Sequence, residues 1–238
     1  MSTPAFTHLA EVGSTNDWLL ARAETLPDGH WVIADRQTAG RGRRGRAWSD
    51  GTGNFMGSVL VKAAGPVQQL SFVAALALHG ALAGLSGQPA RFALKWPNDL
   101  LLDGIKCAGI LLERQGSAVG DALVIGIGVN LAHHPDGTER PATSLAAAGL
   151  PVPPPVGLLD KLAPAFAHWC AMWARDGFAP IREAWLERST GLGTRIVARL
   201  GAESPEGLFE GLAEDGALLM RLDDGTMRAI HAGEVFAV

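Results

Sequence analysis

The sequence predicts an α+β fold, a mixed and largely antiparallel sheet with helices, followed by a small β barrel. Three observations lead there. Between residues 92 and 129 short β runs follow one another through turns and not through helices, as antiparallel neighbours do. Helical stretches stand apart from them, at 68–86 before and at 157–175 and 179–188 after, so the order is not the strict alternation of a parallel α/β fold. From Thr190 onward the chain breaks into short, evenly spaced β runs with acidic and glycine turns, the pattern of a small barrel. At 238 residues, with 47% hydrophobic and 18% charged side chains, the chain can bury one sizeable core plus a small module, and disorder is excluded.

Taken in order, a helix is expected over 16–24, with Ser14 or Thr15 as its N-cap. A strand follows at 30–37, then a loop rich in arginine and glycine, then a strand at 55–62. The apolar stretch Leu70 to Leu85, interrupted by His79 and two glycines, reads as a buried Ala-rich helix and as too short for a membrane span. Strands near 92–96, 100–102, 105–113 and 121–129 come next, and Asp103-Gly104 is the dipeptide favoured in a two-residue hairpin turn. Residues 131–155 form a connection containing proline and glycine. Trp169 and Trp173, one helical turn apart, are expected in the core. The final runs are Arg195 to Leu200, Gly207 to Ala213, Ala217 to Leu222 and Met227 to Ile230, with turns at Glu214-Asp215-Gly216 and Asp223-Asp224-Gly225. The domain division is therefore 1–189 and 190–238.

Chemistry concentrates in a few segments. Gln37 to Trp48 sets Arg41, Arg43, Arg44 and Arg46 among Gly40, Gly42 and Gly45. Glycines allow close backbone approach and guanidinium forks bind phosphate or carboxylate oxygens, so this is an anion-binding loop. The formal net charge is -4, which makes the loop a local device and not part of a nucleic-acid surface. Its glycines satisfy G-x-G-x-x-G, but turn residues follow where a dinucleotide site needs a helix, and no second strand brings an acidic residue. Lys95 to Leu112 holds two of the four lysines, and its hairpin returns Lys106 to the side of Asn98 and Asp99. Gly13-Ser14-Thr15-Asn16-Asp17 and Gly126-Ile127-Gly128-Val129-Asn130 add polar groups at element ends, where caps and turns would use them in any case.

Other classes are excluded. The start, MSTPAFTHLAEV, lacks the basic and apolar regions of a signal peptide. Cys107 and Cys170 are the only cysteines; they suit a reducing, cytoplasmic setting, and neither a G-x-S-x-G elbow nor a metal-type Cys or His spacing is present. Residues 191–238 hold four arginines against eight acidic residues, a poor match for DNA.

In this order the four segments, with Ala142-Thr143-Ser144-Leu145 and the C-terminal β module, resemble over nearly the whole chain the catalytic domain of biotin protein ligases. Those enzymes attach biotin to a lysine of biotin-dependent carboxylases. The resemblance implies a biotin/lipoate ligase-like domain with an SH3-like C-terminal barrel, and a reaction through biotinyl-5'-adenylate that uses biotin, ATP and Mg2+. It puts Ser14, Thr15 and Gln37 at the ureido end of biotin, and counts Asn16, Gly40 and Gly109 among the biotin-binding residues. Arg41, Gly42 and Arg43 fall in the loop that closes over biotin and the adenylate phosphate, and Lys106 lies near the biotin carboxylate and the α-phosphate. Arg46, Trp48, Asn98 and Asn130 fall on the ATP side, and Asp99 where magnesium or phosphate is positioned. The implied partner is the biotin carboxyl carrier protein or domain of a carboxylase, with a homodimer left open and with neither DNA nor membrane. Thirteen residues before Ser14 leave no room for the DNA-binding domain that some members carry, so the ligase-only form is expected. Asp50-Gly51-Thr52-Gly53 departs from the usual Ser-Pro turn after the Trp, and there is no tyrosine. Lipoate ligases or octanoyl transferases, and a biotin sensor that no longer transfers, are the competing readings; the charges of Lys106 and Asp99, which a neutral ureido ring does not require, speak against the sensor.

Overall fold

The computed structural model describes residues 6–48, 51–62, 65–117, 120–137 and 141–237. Its larger sheet has seven strands: β1 (Phe6–Val12), β2 (Trp31–Gln37), β3 (Phe55–Val61), β4 (Phe92–Lys95), β5 (Asp99–Leu102), β6 (Ile105–Ser117) and β7 (Gly120–Val129), in the order β1-β2-β3-β7-β6-β5-β4. Only β1 and β2 run parallel; the other neighbours are antiparallel. The expected mixed sheet is present, with one strand more than expected. β1 lies at an edge with half-exposed residues, and such a strand carries no strong apolar period to read. The first helix, α1 (Thr15–Leu20), ends four residues earlier than expected, the chain then passing into turns. At the hairpin, Asp103 and Gly104 both take positive φ, 51° and 80°, the geometry that this dipeptide favours.

The sheet is covered on both faces around β3, all seven of whose residues are buried. Phe55, Val59 and Val61 join the main core, and Leu60 packs with Leu19, Val32 and Val124 beneath α1. The main core is built on α2 (Leu70–Ser86), α3 (Pro155–Asp176) and α4 (Ala179–Glu187), with Phe72 edge-on to Phe178 and Trp185. Together with its preceding turn, α2 spans Val67–Ser86, twenty residues with a mean hydropathy of 1.4. That is long enough by composition to cross a membrane, contrary to the sequence reading, but 72% of its apolar eighteen-residue window is buried inside the protein. Trp169 and Trp173 sit only half-buried at the rim of this core, where Trp173 Nε1 donates to Gln69 Oε1 at 2.7 Å. An indole needs a partner for its N–H, and the rim supplies one.

The C-terminal strands are β8 (Arg195–Arg199), β9 (Glu206–Leu212), β10 (Leu218–Arg221), β11 (Met227–Ile230) and β12 (Glu234–Ala237), in the order β11-β10-β9-β8-β12. All pairings are antiparallel, and among the described residues none closes β11 onto β12, so the module is an open five-stranded sheet in place of a closed barrel. β12 went unread because four residues at a chain end carry little pattern. The module is fastened to the rest: Trp96 Nε1 donates to Gly216 O at 3.1 Å, Gln69 Nε2 to Glu214 O at 2.8 Å, and Thr190 N to Leu94 O at 2.8 Å. Its buried residues, Ile196 to Val235, belong to the same core as α2. Gly216 turns at φ 88° directly against Phe72, where an added Cβ would lie 2.6 Å from the ring. Gly216→Ala is therefore expected to cost about 1–3 kcal/mol through strain and overpacking, read as a lower urea midpoint; an unchanged midpoint would show that this contact does not fasten the module.

Candidate functional site

A cavity of about 360 Å³ opens where the start of α1, the arginine loop, the β5–β6 hairpin, β7 and the first residues of β12 meet. Every site residue expected from the sequence lines it except Gly40. Gly40 closes the base of the loop, its carbonyl accepting from Trp48 N at 3.0 Å.

One end of the cavity is a buried polar network of neutral side chains, tied at its edge to the Glu113 carboxylate. Ser14 caps α1, with Asp17 N donating to its Oγ at 3.4 Å. Gln37 Oε1 accepts from Thr15 N at 2.7 Å and from Thr15 Oγ1 at 2.9 Å. Ser58 Oγ lies 2.7 Å from Thr15 Oγ1 and 2.6 Å from Asn16 Oδ1, and Asn16 Nδ2 donates to Glu113 Oε2 at 2.7 Å. Asn16 therefore spends both ends of its amide inside the protein, and Gln37 spends its oxygen. They orient Ser14 and Thr15, and the Gln37 amide N–H groups and the Ser14 hydroxyl hydrogen have no protein acceptor among the described residues. Hydroxyls plus a free amide donor suit a neutral ligand that both donates and accepts. Ser58→Ala should weaken binding of such a ligand about two- to tenfold, the scale of one net hydrogen bond, without touching it; calorimetry showing unchanged affinity would remove Ser58 from the network.

The loop presents four arginines, and three have a carboxylate partner, Arg44 and Arg46 sharing one. Arg41 pairs with both carboxylate oxygens of Asp17, at 2.8 and 2.6 Å, and approaches Glu113 at 3.3 Å. The hydrogen bonds from Arg41 hold the Asp17 carboxyl below its ordinary range. Arg46 lies 2.8 Å and Arg44 3.8 Å from Glu234 Oε1. Arg43 differs: it donates to the neutral Asn98 Oδ1 at 3.2 Å and has no carboxylate within ion-pair distance among the described residues. Desolvation by burial, with Arg44 and Arg46 nearby, pushes its pKa down although Asp99 and Glu234 act on it from beyond ion-pair distance, so its charge is half-buried without a directly paired carboxylate. An unpaired cation there is costly unless an anion completes it.

At the hairpin Lys106 Nζ stands 2.5 Å from Asp99 Oδ1. The angle misses hydrogen-bond geometry, so that buried oxygen has no aligned donor. Lys106 also faces the Trp48 ring, 5.9 Å from its centroid. The indole lies on Gly128 and Gly109: a Cβ on Gly128 would come within 2.3 Å of it, so this floor admits no side chain. Trp48 Nε1 is buried without a partner, a donor placed for an acceptor in the cavity. Asn98 and Asn130 are engaged, Asn98 Nδ2 donating to Ile110 O at 2.7 Å and Asn130 Nδ2 to Thr143 O at 3.0 Å, so both hold the walls in place. Burial pushes the Cys107 thiol up to about 12, which leaves it protonated and unreactive near neutral pH.

No group of three or more potential metal ligands exists among the described residues. A magnesium ion fits only as Mg2+ usually binds, through one or two carboxylates, waters and substrate phosphates, with Asp99 as the carboxylate. Sequence reasoning missed Ser58, Glu113, Pro135, Pro141, Glu234 and Val235, and it gave no role to Asp17, Ala142, Gly126 and Gly128, which lie within the segments it singled out; the alternation Gly126-Ile127-Gly128 bares a strand face.

The chain also has relatives among known proteins. Residues 9–130 match the family model described as "Biotin/lipoate A/B protein ligase family", and residues 191–238 match "Biotin protein ligase C terminal domain". The chain is 48% identical to a biotin--[acetyl-CoA-carboxylase] ligase of Paracoccus denitrificans, covering 96% of this chain and 98% of that protein. Among solved structures, the biotin protein ligase of Aquifex aeolicus in complex with biotin and ATP superposes with a TM-score of 0.84 at 28% identity, covering 98% of this chain and 99% of that one. The Leishmania major biotin protein ligase in complex with biotinyl-5-AMP gives 0.68 at 27%, covering 97% and 100%.

Proposed function

Because the chain belongs to the biotin/lipoate A/B protein ligase family, we propose that its cavity carries out both half-reactions of a biotin protein ligase. Biotin is activated with ATP to biotinyl-5'-adenylate and passed to a lysine of a biotin carboxyl carrier protein. The observation that carries the assignment of roles is the pairing, in one cavity, of a neutral polar end with two cations, Arg43 and Lys106. The ureido ring sits at the end built by Ser14, Thr15 and Gln37, where each of its polar atoms can be matched. The carboxylate points along the Trp48 and Gly128 floor towards Lys106. Its oxygen attacks the α-phosphate, the bond to the β-phosphate breaks, and pyrophosphate leaves. Lys106 and Arg43 stabilise charge developing on the phosphoryl oxygens, and Trp48 shields the mixed anhydride from water. Asp99 would hold a magnesium ion brought with ATP, which would supply further charge neutralisation at the phosphates. The carrier lysine then attacks the acyl carbon and AMP departs. No enzyme nucleophile is needed, in keeping with the protonated Cys107.

The free thiols Cys107 and Cys170 support a reducing, cytoplasmic setting. The acidic C-terminal sheet and the burial of α2 favour a role without DNA or membrane. The test of substrate class is pyrophosphate exchange into ATP with biotin, lipoate or octanoate offered singly. Biotin alone should support exchange; exchange with lipoate or octanoate and none with biotin would overturn the reading.

A further inference from the structure

The four loop arginines divide between opposite walls of the cavity. Arg41 is fixed to Asp17 on α1 and Glu113 on β6, within the larger sheet's unit. Arg46, at the other end of the loop, is fixed to Glu234, which begins β12 of the C-terminal sheet. That carboxylate is well placed to act as an anchor. Its backbone pairs with Arg199 of β8 and its neighbour Val235 is buried in the common core, so it cannot follow the loop if the loop lifts. Its side chain is 16% exposed, whereas Arg46 is 55% exposed, so the mobile partner is the arginine. Arg44, which shares the same oxygen at 3.8 Å, takes a left-handed φ of 59°, a conformation non-glycine residues hold only where contacts compensate. Between the two anchors stands Arg43, the arginine without a carboxylate.

We infer that Glu234 is a positioning residue: through Arg46 it holds the loop down over the cavity, so that the C-terminal sheet governs how long the acyl-adenylate is retained. This rests on the proposed ligase reaction. Glu234 touches neither reacting atom, and its effect falls on escape of the intermediate and not on its formation. An alternative role for the same contact, a carboxylate that merely occupies Arg46 until ATP phosphates displace it, predicts the opposite sign, since its removal would lower KM for ATP.

The experiment uses the full chain and a double-mutant cycle of Glu234→Gln, Arg46→Gln and both together. For each, biotin-dependent pyrophosphate exchange, KM for ATP and labelling of albumin by released biotinyl-adenylate are measured. Wild-type exchange establishes the reaction itself; without it the ligase reading fails, independently of Glu234. With it, Glu234→Gln should raise albumin labelling relative to exchange about two- to fivefold, the scale of one ion pair, with KM for ATP not reduced. Arg46→Gln should do the same, and the double variant should be no leakier than either single one. Wild-type retention in Glu234→Gln, additive effects in the double variant, or a lower KM for ATP would each overturn the inference.

Discussion

Lys106→Ala is expected to lower the rate of biotinyl-adenylate formation by about 10²–10³, or roughly 2.7–4 kcal/mol, the scale for removing one preorganised donor from a developing oxyanion. Lys106 sits on the return strand of the hairpin opposite Leu101, its Nζ reaching diagonally to the Asp99 carboxylate and facing Trp48. Its removal also leaves Asp99 without its cation, adding a negative charge where the phosphates must come. Biotin binding should persist, because the network of Ser14, Thr15, Gln37 and Ser58 at the far end of the cavity does not involve the lysine. Calorimetry and pyrophosphate exchange on the same preparation separate the two effects. Exchange near the wild-type rate would remove Lys106 from the reaction, and loss of biotin binding in proportion to exchange would place its role in the ground state.

Arg43→Gly should act on a different step. The mixed anhydride hydrolyses, or acylates any nearby amine, once it leaves the cavity, so turnover on the right lysine depends on holding it. Arg43 has no carboxylate partner to give up and only Asn98 to release, so its charge is available to the anionic adenylate. One charge-assisted hydrogen bond contributes about 1.5–3 kcal/mol, which corresponds to release roughly 10- to 100-fold faster. The variant should still activate biotin but label bystander lysines, as shown by incubation with biotin, ATP and albumin and detection of attached biotin. Good adenylate formation with labelling at the wild-type level would contradict this role. The same reasoning predicts a smaller effect from Arg41, whose fork is occupied by Asp17 and Glu113.

The parts of the molecule legible in the sequence are those made by neighbours along the chain. Asp103-Gly104 specifies its turn by φ preference alone, and that turn is enough to bring Lys106 to Asp99. The arginine loop announces anion binding by composition. Which arginine stays unpaired is not local information. Arg41 is neutralised by residues on α1 and β6, and Arg46 by a glutamate on the last strand. The four look alike in sequence and differ only once the fold has chosen their partners. Asn16 and Gln37 show the same limit, for the family resemblance implied direct ligand contacts while much of their hydrogen-bonding capacity is spent on Thr15, Ser58 and Glu113. The edge strand β1 and the terminal β12 escaped because neither has an alternating apolar face, and the open order of the C-terminal sheet depends on pairings that turn spacing does not specify.

The central claim is that one cavity activates biotin and delivers it to a carrier lysine. The most direct test is to incubate the purified chain with biotin, ATP, magnesium and a biotin carboxyl carrier domain, and to follow the carrier by intact-mass spectrometry and peptide mapping. One biotin should appear on one lysine of the carrier, dependent on ATP, and a carrier with that lysine changed to arginine should remain unmodified. Steady production of biotinyl-adenylate with no biotin on the carrier would contradict the account.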